Sequence, residues 1–334
     1  MPPTLGVILC GTGEIAATHV DALRACGQFT LRGVAGHDPR RTREVAARFD
    51  APAIDDLERA LRGPDVDAVV IASATDAHLD QLRAAVAAGK HALVEKPFAL
   101  DVPAARAGVD AANARGLVLA GVFQRRFLPI AAELRAAFAA GELGLALGAT
   151  AALVWKRHAA YFEASPWRGD ATRAGGGVVM MQGIHTIDLM RYVLGEVETI
   201  DGATARVRAI AAVEDTAAFS MRFRCGALAS VFATTAARRR VPQRIAFHFE
   251  RASVELVGDA VALDTRREPR DGIRGWFDRR LAGRTAGSMT RQRLFVELAA
   301  DFAHAIRTGE PPRSPALDAL ASVAVVQSLY SART

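Results

Sequence analysis

Apolar residues dominate short blocks through the first third of the chain, at 5–10, 31–35, 67–72, 92–94 and 117–122, broken only by Arg32 in the second and led by Asp67 in the third. Continuous blocks of that length are what strands buried on both faces carry. Between them the spacing turns helical: over 14–26, after Asp38-Pro39, over 55–61, over 76–88 up to Gly89, and over 101–115 up to Gly116. Strand and helix alternate throughout, which predicts a doubly wound parallel sheet. The pattern changes after residue 122. Helices are expected over 130–140 and 178–194, with a strand over 146–155. Polar and apolar positions then alternate between 199 and 263, over 215–223, 227–234, 244–249 and 253–257. Consecutive short strands of this kind predict an antiparallel sheet. Two helical stretches, 294–307 and 315–331, close the chain. The expectation is an α/β protein with a nucleotide-binding domain over 1–122 and a second α/β domain over 123–334, the last helices free to pack back on the first.

Composition narrows the picture. The chain has 334 residues, 51% of them hydrophobic, enough for two folded domains. No apolar run reaches the roughly 18 residues of a membrane span, and the start lacks the basic region of a signal peptide. Cys10, Cys26 and Cys225 are scattered, which suits a reducing cytoplasm and suggests neither a disulfide framework nor a metal site. The net charge is +6, but the arginines are spread along the chain and aromatic residues make up 6%. Nucleic-acid binding wants a basic face with aromatic platforms, so it is not expected. The basic stretch 266–290 reads as an irregular mobile or interface segment.

The first chemistry lies in Gly11-Thr12-Gly13-Glu14-Ile15-Ala16, set between a strand and a helix. This is the G-x-G-x-x-A dinucleotide fingerprint in its required setting. Gly11 allows the tight turn, Gly13 lets the backbone approach a pyrophosphate, and Ala16 allows close packing. His19, one turn on, reads as a packing residue. The second strand ends in Gly36-His37-Asp38-Pro39-Arg40-Arg41. Asp38 and Pro39 look like an N-cap and first helical residue, which leaves Gly36 where an acidic side chain would bind the adenosine ribose. With His37, Arg40 and Arg41 nearby, this predicts NADP(H) over NAD(H). The third strand ends in Ser73-Ala74-Thr75-Asp76-Ala77-His78, whose small and hydroxyl residues suit a cofactor trough. Thr75 or Asp76 also reads as a helix cap.

The strand 92–94 runs into Glu95-Lys96-Pro97 at the edge of the sheet where ligands bind in such folds. Lys96 is one of three lysines, beside Lys90 and Lys156, in an arginine-rich chain, which favours a role for a compact, titratable cation. A surface Glu–Lys pair is the alternative. In the second domain, 156–172 looks like a loop over a site, with Tyr161 and Trp167-Arg168. Gly175-Gly176-Gly177 would let a ligand approach the backbone. On the helix that follows, Met181, His185, Asp188 and Tyr192 share one stripe. His185 is then either a general acid or a core histidine bonded to Asp188.

Together these motifs resemble the glucose–fructose oxidoreductase and inositol dehydrogenase family over nearly the whole chain. The likeness rests on Gly11-x-Gly13-x-x-Ala16 with His19, residues 72–78, Gly89-Lys90-His91 leading to Glu95-Lys96-Pro97, Gln124-Arg125-Arg126-Phe127, and Pro166-Trp167-Arg168. It continues through Gly175–Gly177, Gly183-Ile184-His185-Thr186-Ile187-Asp188 and residues 328–331. The resemblance implies a Rossmann domain followed by a domain with a large open sheet, and hydride transfer between nicotinamide and a sugar or cyclitol carbon. Lys96 would hold the reacting oxygen and His185 would exchange its proton. Glu95, Gln124, Trp167 and Arg168 would lie near the nicotinamide. Where the family often has Asp or Asn, one turn before the histidine, this chain has Met181, leaving Lys96 and His185 to do the work beside a less polar substrate. Substrate contacts are expected from Lys96, Tyr161, Met181, His185 and Asp188. The expected function is NADP(H)-dependent reduction of a sugar-like ketone by a homo-oligomer, a dimer or tetramer. An enzyme that retains its cofactor while cleaving or epimerising a sugar, and a non-catalytic sensor on the same fold, are the alternatives.

Overall fold

The computed structural model describes residues 3–267 and 289–332. The apolar blocks become strands β1 (Leu5–Cys10), β2 (Phe29–Ala35), β3 (Ala53–Ile54), β4 (Ala68–Ile71), β5 (His91–Val94) and β6 (Leu119–Gly121). They form one parallel sheet in the order β3-β2-β1-β4-β5-β6. Val7 to Cys10 and all of β4 are at most 1% exposed, as strands covered on both faces must be. From β1 the chain winds one way through β2 and β3, then returns to β4 and winds the other way. The switch point, where such sheets open a crevice, lies between β1 and β4. Helices Ile15–Cys26, Pro39–Arg48, His78–Ala87 and Val102–Asn113 connect the strands. Asp38 and Asp101 cap two of them by accepting backbone N–H bonds. The later helix Arg291–Thr308 packs on Ile15–Cys26, with Phe295 edge-on to His19 and Phe302 stacked on Phe29. This compact unit comprises the residues up to Gln124, Thr172–Gly175 and Arg291–Ala324.

The remaining described residues form a second unit. Its strands are β7 (Ala146–Val154), β8 (Val197–Ala205), β9 (Thr216–Phe223), β10 (Leu228–Thr234), β11 (Arg244–Phe249), β12 (Ser253–Val257) and β13 (Ala260–Asp264). The order is β13-β12-β11-β7-β10-β9-β8. All neighbours are antiparallel except β7 and β10. Phe219, Met221, Phe223, Val231, Ile245 and Phe247 fill the inner face. Helix Ile184–Leu194 packs on β7 and on helix Pro129–Ala139.

Two details differ from the sequence expectation. The stretch 156–172 holds short helical pieces, Ala159–Glu163 and Pro166–Gly169, and Ala171–Ala174 follows at its end. The expected single helix over 178–194 opens as a π-helix, Val179–Gly183, before the α-helix Ile184–Leu194. Of the basic stretch 266–290, residues 268–288 lie outside the described residues. No helix among the described residues is long and apolar enough to cross a membrane.

Candidate active site

The parallel sheet brings Gly11, Ala72, Glu95 and Val122 to one edge, each N–H continuing a ladder into the neighbouring strand. Gly11 has a φ of 128°, and a Cβ there would lie 2.3 Å from the Ala72 carbonyl oxygen. Only glycine lets β1 and β4 approach so closely at the switch point. A Cβ on Gly13, in contrast, would meet nothing within 4 Å. The helix that follows starts at Ile15, after Glu14, with no side chain capping it. An open glycine face next to an uncapped helix start fits a dinucleotide pyrophosphate. Thr75 Oγ1 and Gln124 Oε1 add two buried polar atoms without a hydrogen-bond partner among the described residues.

At the end of β2, a Cβ on Gly36 would lie 2.6 Å from Thr42 Oγ1 and 2.7 Å from Thr12 Cγ2. The threonines therefore leave no room for an acidic side chain. Asp38 is occupied as a cap, accepting from the Arg40 and Arg41 amides at 2.9 and 3.1 Å, and these bonds hold its carboxyl below the ordinary range. Arg41 Nε donates to the Thr12 carbonyl at 3.0 Å, so its guanidinium lies on the glycine turn. His37 and Arg40 are exposed.

The turn after β4 corrects two expectations. Neither Thr75 nor Asp76 caps the helix there. A 3₁₀ turn, Thr75–Ala77, leads in behind Ala74 with no side-chain cap, and Asp76 pairs with Arg173 at 2.6 Å. Ser73 Oγ donates to Gln81 Oε1 at 2.8 Å. His78 was expected to touch the cofactor, but it is 1% exposed and its ring faces protein. Nδ1 lies 2.9 Å from the Pro97 carbonyl oxygen and Nε2 3.3 Å from that of Ser73. Its part is to join two loops.

Lys96 is held through both neighbours. Glu95, 7% exposed, accepts from the Lys96 amide at 3.1 Å and lies 3.0 Å from His19 Nε2. On the other side, across a cis peptide, Pro97 is the residue that His78 engages. His19 is thus more than the packing residue its place on the helix suggested: it ties the fingerprint helix to Glu95. Its polarity within an apolar helix face was the signal.

The second unit holds its own group. His185 is half-buried in the first turn of Ile184–Leu194. Three residues on, Asp188 is engaged by an arginine. The carboxylate is 2% exposed and receives Arg126 Nε at 2.9 Å and Nη2 at 2.7 Å. The Arg126 guanidinium also lies 5.1 Å from the Tyr192 ring centre. Met181, also expected to meet substrate, is 7% exposed in the core. The π-turn makes i→i+5 bonds and takes Met181 out of the α spacing to His185, while His185, Asp188 and Tyr192 keep it within Ile184–Leu194. Arg125 binds Asp259 and Gln243, and Gln243 Nε2 donates to Thr186 Oγ1, next to His185. Tyr161 lies between the guanidinium groups of Arg157 and Arg168, 4.2 and 4.4 Å from its ring centre. Its hydroxyl accepts from Gln182 Nε2 at 3.4 Å. Trp167 is 5.8 Å from Arg168. Gln182 was missed, although a lone amide in the apolar run 178–184 could have marked it. Gly176 and Gly177, expected to admit a ligand, are closed by protein: a Cβ on either would strike Tyr330 or Glu214.

Residues 5–123 match the family model of the oxidoreductase family with an NAD-binding Rossmann fold, and residues 131–255 match the GFO/IDH/MocA C-terminal domain. The chain belongs to the GFO/IDH/MocA oxidoreductase family. Within that family it is 31% identical over 226 residues to the 1,5-anhydro-D-fructose reductase of Ensifer adhaerens, covering 66% of each chain. It is 29% identical over 233 residues to the myo-inositol 2-dehydrogenase of Thermotoga maritima, covering 67% of this chain and 66% of the relative. The chain thus spans just under two thirds of these curated relatives. The WlbA dehydrogenase from Bordetella pertussis, solved with NADH and UDP-GlcNAcA, shares the fold at a TM-score of 0.87, with 24% identity over 99% of this chain and 96% of that one.

Proposed function

We propose that the protein is an NADP(H)-dependent oxidoreductase that reduces a sugar-like or cyclitol ketone to the alcohol. The observation that carries this is the fixing of Lys96 through Glu95 and Pro97 at the sheet edge that also holds the open glycine turn. Bound NADPH supplies the hydride. The Lys96 ammonium neutralises the alkoxide that develops on the reacting oxygen, and the His185 imidazolium gives that oxygen its proton. Gly36 without room for a carboxylate, and Arg41 on the glycine turn, favour a ribose carrying a 2′-phosphate. The names of the two relatives, a sugar reductase and a cyclitol dehydrogenase, support the substrate class. The three cysteines are free, which suits a reducing cytoplasm. A homo-oligomer, a dimer or tetramer, belongs to the same reading.

The test is turnover of keto-sugars with NADPH and NADH, together with dissociation constants for both. NADPH should bind more tightly, and Lys96→Ala should lower turnover by about 100-fold or more with NADPH binding kept. Tighter NADH binding overturns the cofactor assignment, and surviving turnover overturns that of Lys96.

A further inference from the structure

An α-helix begins with four amides that have no acceptor inside it. At the start of the His185 helix all four are taken. The Gly177 amide donates to Glu214 Oε2 at 2.6 Å, and the Val179 amide to Glu214 Oε1 at 3.1 Å. The Val178 amide donates to the Glu214 carbonyl at 2.9 Å, and the Met180 amide to the Tyr330 hydroxyl at 3.3 Å. Met181 is the first residue of this run to bond back along it, to the Gly177 carbonyl at 2.8 Å. Tyr330 in turn donates to Glu214 Oε1 at 2.6 Å. Burial and the neighbouring carboxylate raise the phenol pKa well above its ordinary value, so the hydroxyl keeps its proton to donate. The glycines make this closure possible: a Cβ on Gly177 would lie 1.8 Å from the Glu214 carbonyl oxygen, and one on Gly176 2.3 Å from the Tyr330 hydroxyl.

The segment between this anchor and His185 is the π-turn Val179–Gly183. Such turns are rare single-turn insertions, so where His185 stands depends on how the chain is held before the turn. We propose that Glu214, locked by Tyr330, is a positioning residue that sets the place of the His185 imidazole by pinning the start of its helix. This rests on the reading of His185 as the proton donor.

The experiment compares Glu214→Gln, Tyr330→Phe and His185→Ala with the unaltered protein, using NADPH and a keto-sugar substrate. It measures kcat, KM, the isotope effect with deuterated NADPH, and amide exchange over residues 177–181. Glutamine offers one acceptor oxygen where the carboxylate offers two. Glu214→Gln should therefore lower kcat about 10- to 100-fold, raise the isotope effect, leave KM nearly unchanged and speed exchange at these amides. Tyr330→Phe, which loses one hydroxyl, should lose about fivefold. A normal kcat and isotope effect in Glu214→Gln, beside an impaired His185→Ala, overturns the positioning role and leaves His185 in place. A lower kcat with unchanged amide exchange over residues 177–181 also overturns it, since the helix start is then held as before. If His185→Ala keeps full turnover, the proton-donor reading fails and this proposal falls with it.

Discussion

Removing either partner of the Arg126–Asp188 pair leaves a buried charge inside the second unit without its bidentate ion-pair partner. Their side chains are 1% and 2% exposed, and an unpaired charge so placed costs about 3–5 kcal/mol. Arg126→Ala and Asp188→Ala should each lower the urea unfolding free energy of the protein by that amount, with NADPH affinity kept. A loss of less than about 1 kcal/mol would put the pair among weak surface bridges. The pair also shows what spacing hides. From the sequence, Asp188 lies one helical turn past His185, and a bond between them follows from that distance alone. A partner of the same carboxylate, Arg126, sits 62 residues earlier, and long-range partners leave no periodic trace. His19 and Glu95, 76 residues apart, met by the same route. Gly11 as a tight turn and Asp38 as a helix cap were legible because those parts follow from local backbone chemistry.

At the scale of elements, the turns after β4 and β5 are tied by one imidazole. His78 is buried, and burial lowers its pKa below the ordinary 6.5. The native protein therefore keeps the ring neutral where the unfolded chain takes up a proton. With more protons bound in the unfolded state, stability rises with pH. The contribution of His78 is complete above about pH 6.5 and is lost as pH falls below it, until the lower native pKa is reached. His91 is lowered by burial too and acts in the same sense. Urea unfolding between about pH 7 and pH 5 should show a shallower decline in His78→Asn than in the unaltered protein. Equal slopes would mean that this ring is already charged in the native state. Elements whose burial is one-sided or complete were readable from pattern, as β5, β9 and β11 were. The short β3 and the outer strands β8 and β13 were not among the expected strands. Two residues hold no period, and outer strands such as β8, with burial alternating between half-buried and exposed, give weak contrast. The π-turn was invisible because Val179 to Gly183 are buried all round, so the apolar run looks the same at either spacing.

For the whole molecule, the proposed homo-oligomer is expected to form through the open face of the second sheet. Along β10 the inner residues are buried, while Leu228 and Phe232 point outward at 54% and 44% exposure. Phe232 pairs with Ala152 on β7 and Ala218 on β9, and Leu228 with Gly148 on β7 and Arg222 on β9, while Ser230 between them faces Thr150 and Ser220. Leu147, beside the bulge where β7 meets β11, is 58% exposed. Large exposed apolar side chains standing among small and polar ones on one sheet face are of the kind that marks an interaction site. A two-fold contact uses the same patch on both copies, and a sheet face of alternating large and small residues can meet itself in that way. Light scattering at micromolar concentration should therefore give a multiple of the chain mass. Phe232→Glu, which places two like charges across such a contact, should shift the protein towards the single chain while leaving NADPH affinity unchanged, since Phe232 belongs to the second unit and the glycine turn to the first. A single-chain mass for the unaltered protein would remove the oligomer from the proposed function, and a Phe232→Glu protein that still assembles would move the contact to another face.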